Sequence, residues 1–173
     1  MTSVTKMKKL YLARHAKSSW DYSELTDFER PLNKRGKKDA PLMGKVFNEI
    51  RIIPDLIISS PAVRAFTTAC TIAELINYPV EKIQTSEIIY EVGTKEFFEF
   101  IKSTNDNVNS LMVFGHNPSL TLLSNYLSDK YIDNIPTCGM TEIEFSVDQW
   151  KKIKPASGIL KSIEFPKKYK NKK

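Results

Sequence analysis

Apolar and polar positions divide the chain into two alternating kinds of segment. Lys9–Ala13, Asp55–Ser59 and Ser110–Phe114 are short, continuous runs rich in strand-forming residues, the pattern of strands buried on both faces of a parallel sheet. After each run comes a helical period. Ala40, Met43, Val46, Phe47 and Ile50 define the first; Val63, Phe66, Ile72, Leu75 and Ile76 the second; Leu120, Leu123 and Leu127 the third. Glu96–Lys102 adds a further helix. Toward the end the pattern changes to a period of two, in Met140–Ser146 and Ile159–Phe165, which predicts a pair of strands at the sheet's edge. Strand followed by helix three times over implies an α/β protein, a three-layer α/β/α sandwich whose mostly parallel sheet has an antiparallel edge.

Length and composition fit that reading. The 173 residues are 41% hydrophobic and 27% charged, enough for one domain with one core, and no apolar stretch approaches the ~18 residues of a membrane span. A single domain over residues 1–165 is expected, with a basic, disordered tail over 166–173. Leu10–Ala13 is too short for a signal sequence, so a cytoplasmic location is expected, with Cys70 and Cys138 as reduced, mostly buried thiols. The net charge of +6 resides in the tail, whose five lysines, removed from 26 basic residues, leave 21 against 20 acidic ones. A nearly neutral body makes the tail a solubilising end rather than the arm of a nucleic-acid binder.

Open α/β sheets bind ligands beyond the carboxyl ends of their strands. Here those places are Arg14-His15-Ala16, Ser59–Arg64 and Gly115–Pro118, and they contain both histidines of the protein. Ser60-Pro61 and Asn117-Pro118 read as helix caps followed by proline, so two helix N-termini should point into the crevice and favour an anion. Arg64 then falls in a first helical turn, where the dipole disfavours a cation and an anionic ligand would explain its position. Two arginines, two histidines and two helix N-termini describe a phosphoryl site.

Other phosphate machinery is missing from the sequence. None of its six glycines completes GxGxxG or GxxxxGK[ST], no two aspartates are two residues apart, and neither cysteine has an arginine six residues on. Two histidines without HxH or CxxC do not make a catalytic zinc site, and no metal or cofactor is expected.

Leu12-Ala-Arg14-His15-Ala-Lys-Ser18, Arg30-Pro-Leu-Asn-Lys-Arg-Gly36, Ser59-Ser-Pro-Ala-Val-Arg64 and Val113-Phe-Gly-His116-Asn-Pro118, in this order, resemble the histidine phosphatase superfamily. Within it the small SixA-like phosphohistidine phosphatases are the nearest likeness, from about Lys8 to Phe145. The resemblance implies a phosphoglycerate mutase-like fold. Two departures stand out: the usual Arg-His-Gly triplet is Arg14-His15-Ala16, and Asp21 replaces an asparagine of the mutase-type members, which speaks against a mutase.

By the resemblance His15 is the nucleophile that becomes phosphohistidine, with Arg14, Arg64 and His116 as phosphate ligands and Arg30 as a fifth ligand carried on a lid. The cationic neighbours of His15 should keep its imidazole neutral. Glu91 is the candidate general acid and Glu87 the spare. The implied activity is metal-independent hydrolysis of protein phosphohistidine on histidine-containing phosphotransfer proteins, with inorganic phosphate as product and no membrane partner. The alternatives are a small-molecule phosphomonoesterase of the same superfamily and a catalytically silent binder of phosphoprotein or nucleic acid.

Overall fold

A computed structural model of the chain describes residues 6–170. Its strands are β1 (Lys8–Arg14), β2 (Leu56–Ser59), β3 (Gln84–Thr85), β4 (Ser110–Gly115), β5 (Met140–Phe145) and β6 (Ile159–Glu164). Its helices are α1 (Lys34–Glu49), α2 (Val63–Leu75), α3 (Thr94–Lys102), α4 (Ser119–Leu127) and α5 (Lys167–Lys170). The strands form one sheet in the order β3-β2-β4-β1-β5-β6. β1, β2, β3 and β4 run parallel, while β5 and β6 complete the sheet antiparallel, as the two-residue period implied. β3 has only two residues and gives no periodic signal.

The side-chain period of a strand builds the three layers. Leu10, Leu12, Leu111 and Val113 project to one face and pack with Phe97, Ile101, Leu120 and Trp150. Tyr11, Ala13, Met112 and Phe114 project to the other, against Met43, Phe47, Ala69 and Ile72. The central strands therefore bury both faces, which is why they read as unbroken apolar runs.

The helix faces differ from expectation in two places. Ile50 caps α1 and is exposed, and Val63 and Phe66 of α2 point outward while Ala65, Ala69 and Ala73 face the core. α1 and α2 lie so close that a Cβ on Gly44 would stand 2.6 Å from Leu75 Cδ1. Small residues together with Ile72 therefore mark the buried face of α2.

The basic end differs as well. Lys167–Lys170 form a helical turn, not a disordered tail. Tyr169 packs on the α1/α2 side of the core, and Lys170 Nζ lies 2.6 Å from Oδ1 of the fully buried Asp39. A buried carboxylate needs a partner, and the lysine reaches it from the chain's end. Residues 171–173 lie outside the described residues. Of the thiols, Cys138 is buried and Cys70 half-buried, and both are free.

Candidate active site

The parallel register brings the three strand ends together. Arg14 pairs with Gly115 and Ser59 with Phe114, and the His15 amide donates to the Gly115 carbonyl. Beyond these ends opens a cleft of about 470 Å³ lined by Arg14, His15, Arg64 and His116, together with Trp20, Asp27, Arg30, Tyr90 and Glu91. A larger apolar groove of about 810 Å³ adjoins it, shares only Glu91 with it and contains neither histidine.

His15 is buried at the turn after β1. The Ala16 amide donates to Thr68 Oγ1, and that hydroxyl donates to the Arg64 carbonyl, so α2 clamps the turn. His15 Nδ1 lies 2.7 Å from the Ala16 carbonyl oxygen. A carbonyl only accepts, so Nδ1 carries the proton and Nε2 keeps its lone pair. Burial pushes the His15 pKa down to about 3; the Ala16 carbonyl opposes this, and His116, Arg64 and Arg14 add to it. Desolvation thus contributes more than the neighbouring charges that the sequence emphasised.

His116 follows β4, with its ring 5.2 Å from that of His15. Burial, then the charge of Arg64, lowers its pKa to about 4. Its Nε2 lies 2.7 Å from Ser60 Oγ, and its buried Nδ1 has no hydrogen-bond partner. Ser60 is not the cap of α2: Ala62 occupies that position, and the Ser60 hydroxyl accepts from the Ala62 amide while engaging His116. A hydroxyl donates to a bare Nε2 or accepts from Nε2–H, so the Ser60 contact fixes the orientation of the His116 ring in either tautomer. Asn117 is not the formal cap of α4 either: Pro118 occupies that position, and Asn117 Oδ1, one residue earlier, accepts from the Thr121 amide in the first turn.

Arg64 lies in the first turn of α2, and an anion is present beside it: Asp27. Arg64 Nη1 donates to the Asp27 carbonyl at 2.5 Å and Nη2 to its carboxylate at 2.9 Å. Tyr90 Oη donates to the same carboxylate oxygen at 2.7 Å. Arg30 holds the other oxygen through Nε and Nη2, and its Nη1 donates to Ser18 Oγ. Burial alone would raise the Asp27 pKa, but the bonds from Tyr90 and Arg64 outweigh it and bring it down to about 2. Arg14 Nη1 donates to the Ile135 carbonyl, and the Nε atoms of Arg14 and Arg64 are buried without a partner.

The expected set Arg14, His15, Arg64 and His116 is therefore gathered in one cleft. Arg30 joins its lining with its donors turned toward Asp27 and the loop. Glu91 lies exposed at the mouth; Glu87 does not line the cleft. Asp27, Tyr90, Trp20 and the bond from Ser60 escaped the sequence reading. Asp27 and Tyr90 belong to segments without periodicity, so only their nearness to Arg30 and Glu91 could have marked them.

The profile of the histidine phosphatase superfamily (branch 1) matches residues 10–97, from within β1 through α1, β2, α2 and β3 into the start of α3. The chain belongs to that superfamily. It is a phosphatase. An uncharacterised chloroplastic protein of Arabidopsis thaliana is 28% identical over 159 residues, 87% of this chain and 72% of its own length. Phosphoserine phosphatase 1 of Hydrogenobacter thermophilus is 41% identical over 80 residues, 44% of this chain and 36% of its own. Among solved structures, the protein histidine phosphatase SixA complexed with tungstate superposes with a TM-score of 0.79 at 18% identity, covering 92% of this chain and 98% of that one. The SixA of Agrobacterium tumefaciens gives 0.76 at 24% identity over 92% and 98%. These superpositions extend the superfamily fold to the C-terminal half that the profile leaves uncovered.

Proposed function

We propose that this histidine phosphatase hydrolyses protein-borne phosphohistidine, without a metal, through a phosphohistidine at His15. The observation that carries the reading is the bond from His15 Nδ1 to the Ala16 carbonyl, which leaves a neutral imidazole with its Nε2 lone pair in the cleft. That nitrogen attacks phosphorus, the bond to the leaving group breaks, and its electron pair departs with the leaving group. Water then attacks phospho-His15, the P–N electron pair returns to Nε2, and inorganic phosphate takes up the proton lost by the water. Arg14, Arg64 and His116 are assigned to the phosphoryl oxygens, as donors whose bonds strengthen as charge develops. That SixA, which shares this fold, is complexed with the oxyanion tungstate supports an oxyanion-binding role.

The rim supports a protein substrate. Trp20, Tyr22 and Phe28, all on the segment between β1 and α1, are exposed, as are Val63 and Phe66 at the start of α2. Of these, Trp20 lines the cleft itself, so an exposed aromatic ring stands where the carrier of the phosphoryl group would approach. Phosphohistidine also needs little acid assistance, since its imidazole leaves neutral once the other ring nitrogen is protonated. That agrees with an exposed Glu91. The second reading, a small-molecule phosphomonoesterase, is favoured by Glu91 standing at the cleft mouth. In that case an alkoxide must be expelled, and Glu91→Gln should cost the ~10²–10⁴-fold of a positioned acid. Efficient turnover of a sugar phosphate that collapses in Glu91→Gln selects the second reading.

The deciding experiment for the nucleophile is covalent trapping in EDTA with labelled phosphohistidine protein. The expected product is an acid-labile, alkali-stable phosphoenzyme; label retained in His15→Ala overturns the assignment.

A further inference from the structure

Trp20 combines two properties that seldom occur together: it is 73% exposed, yet it is held in place. The Arg30 guanidinium lies over one face of the indole, 3.5 Å from the ring centre. Arg30 is itself buried and cannot move freely, because Asp27 Oδ1 binds its Nε and Nη2 and Ser18 Oγ and the Ser19 carbonyl bind its Nη1. A planar cation fixed by four bonds thus orients a planar ring. The other face of that ring is open, and Trp20 lines the same cleft as His15, Arg64 and His116.

Leaving a large apolar ring in water while ordering it brings no folding benefit from burial, so the arrangement calls for a ligand. We infer that Trp20 is a specificity-determining residue: its open face stacks on a planar ring carried by the leaving group, next to the phosphoryl group held in the cleft. Such stacking favours phosphoryl groups attached to flat heterocycles, of which the N-linked imidazole is one, over those on alkyl or acyl oxygen. The Asp27–Arg30 pair is then the support of this platform, and the phosphoryl donors are left to Arg14, Arg64 and His116. The inference rests on the reading of the cleft as the phosphoryl site and adds to it the shape of the group that leaves.

Two measurements test it separately from turnover as such. The protein has two tryptophans, and Trp150 is fully buried, so changes in quenching by a solute report Trp20. Phenylphosphonate, a flat and unhydrolysable probe, should protect Trp20 from acrylamide quenching, whereas methylphosphonate at equal saturation should not. Equal protection by both, or by neither, overturns the platform. In kinetics, the ratio of kcat/KM for phosphoimidazole to that for acetyl phosphate should fall about three- to tenfold in Trp20→Leu and be largely restored in Trp20→Phe. A proportionate loss on both substrates would make Trp20 a structural prop and overturn the inference. Failure of the phosphoryl-site reading itself has a different signature, in which neither phosphonate binds and no label reaches His15.

Discussion

The carboxylate of Asp27 stands 2.9 Å from Nη2 of Arg64, so the cleft proposed to receive phosphate already holds an anion of the protein's own. The same carboxylate receives the Tyr90 hydroxyl and two nitrogens of Arg30. On the proposed function, an incoming phosphoryl group meets a guanidinium whose outer nitrogens are both engaged by Asp27.

Asp27→Asn keeps a carbonyl oxygen for Tyr90 and removes the competing charge. Inorganic phosphate should bind this variant several-fold more tightly, as isothermal titration would register, and vanadate should compete at lower concentration. In the wild type the depressed pKa of Asp27, about 2, stabilises the fold above the unfolded value near 4 and ceases to do so as pH falls toward 2. Asp27→Asn should lose less stability over that interval. An identical acid limb in both proteins would contradict the pairing.

The histidines govern a separate pH window. His15 and His116 have folded pKa values of about 3 and about 4, against roughly 6.5 in an unfolded chain. The unfolded chain takes up protons first, so stability is complete above pH ~6.5 and declines on acidification until the folded values are reached. They are the only histidines present, and the carboxylates titrate lower. Thermal melts between pH 7 and 5 should show Tm falling with pH in the wild type and a flatter profile in the His15→Gln/His116→Gln double variant. His15 should also contribute no acid limb near pH 6.5 to kcat/KM of the free enzyme.

Ser60→Ala removes the hydroxyl beside His116 Nε2 and frees that ring from the contact that orients it. We expect kcat to fall roughly tenfold, within the range of a lost acid–base or oxyanion contact, with KM little changed. Nitrogen-15 spectra of His116 should show a changed balance between its two tautomers. A fall in kcat with unaltered spectra would assign Ser60 a merely structural role.

Gly36 accounts for the last position of the Arg30–Gly36 element. A Cβ placed there would be 2.1 Å from the Lys17 carbonyl oxygen, a backbone atom that cannot swing aside. The neighbouring Asn33 caps α1 through the Gly36 amide, while its own amide donates to that same carbonyl. Gly36→Ala should destabilise the fold by about 1–3 kcal/mol, as overpacking does, and weaken phosphate binding by displacing the segment next to His15. Denaturant midpoints and phosphate titrations of this variant check both effects.

The buried central strands, the helices between them and the antiparallel edge were legible because periodicity is a local property of the chain. The set Arg14, His15, Arg64 and His116 was legible because parallel strands bring their carboxyl ends to one edge, so that residues about 50 apart in sequence become neighbours. The outward turn of Val63 and Phe66 was not, because it follows from how closely α1 approaches α2. Neither was the helical turn at the lysine-rich end, because the partner of Lys170 is Asp39, more than a hundred residues away. Composition alone describes that segment as a solvated tail; a buried carboxylate makes it part of the fold.

The chemistry divides in the same way. The residue types at the strand ends were enough to name a phosphoryl site, since arginine and histidine keep their donors and lone pairs wherever they are placed. Which nitrogen of His15 carries the proton, how far burial lowers its affinity for a second one, and that Asp27 and Arg30 face each other beneath Trp20 were decided by tertiary structure alone. Hydrogen-bond direction and desolvation depend on atoms brought together from β1, α2, β4 and the intervening loops, and no local stretch of the sequence contains them all.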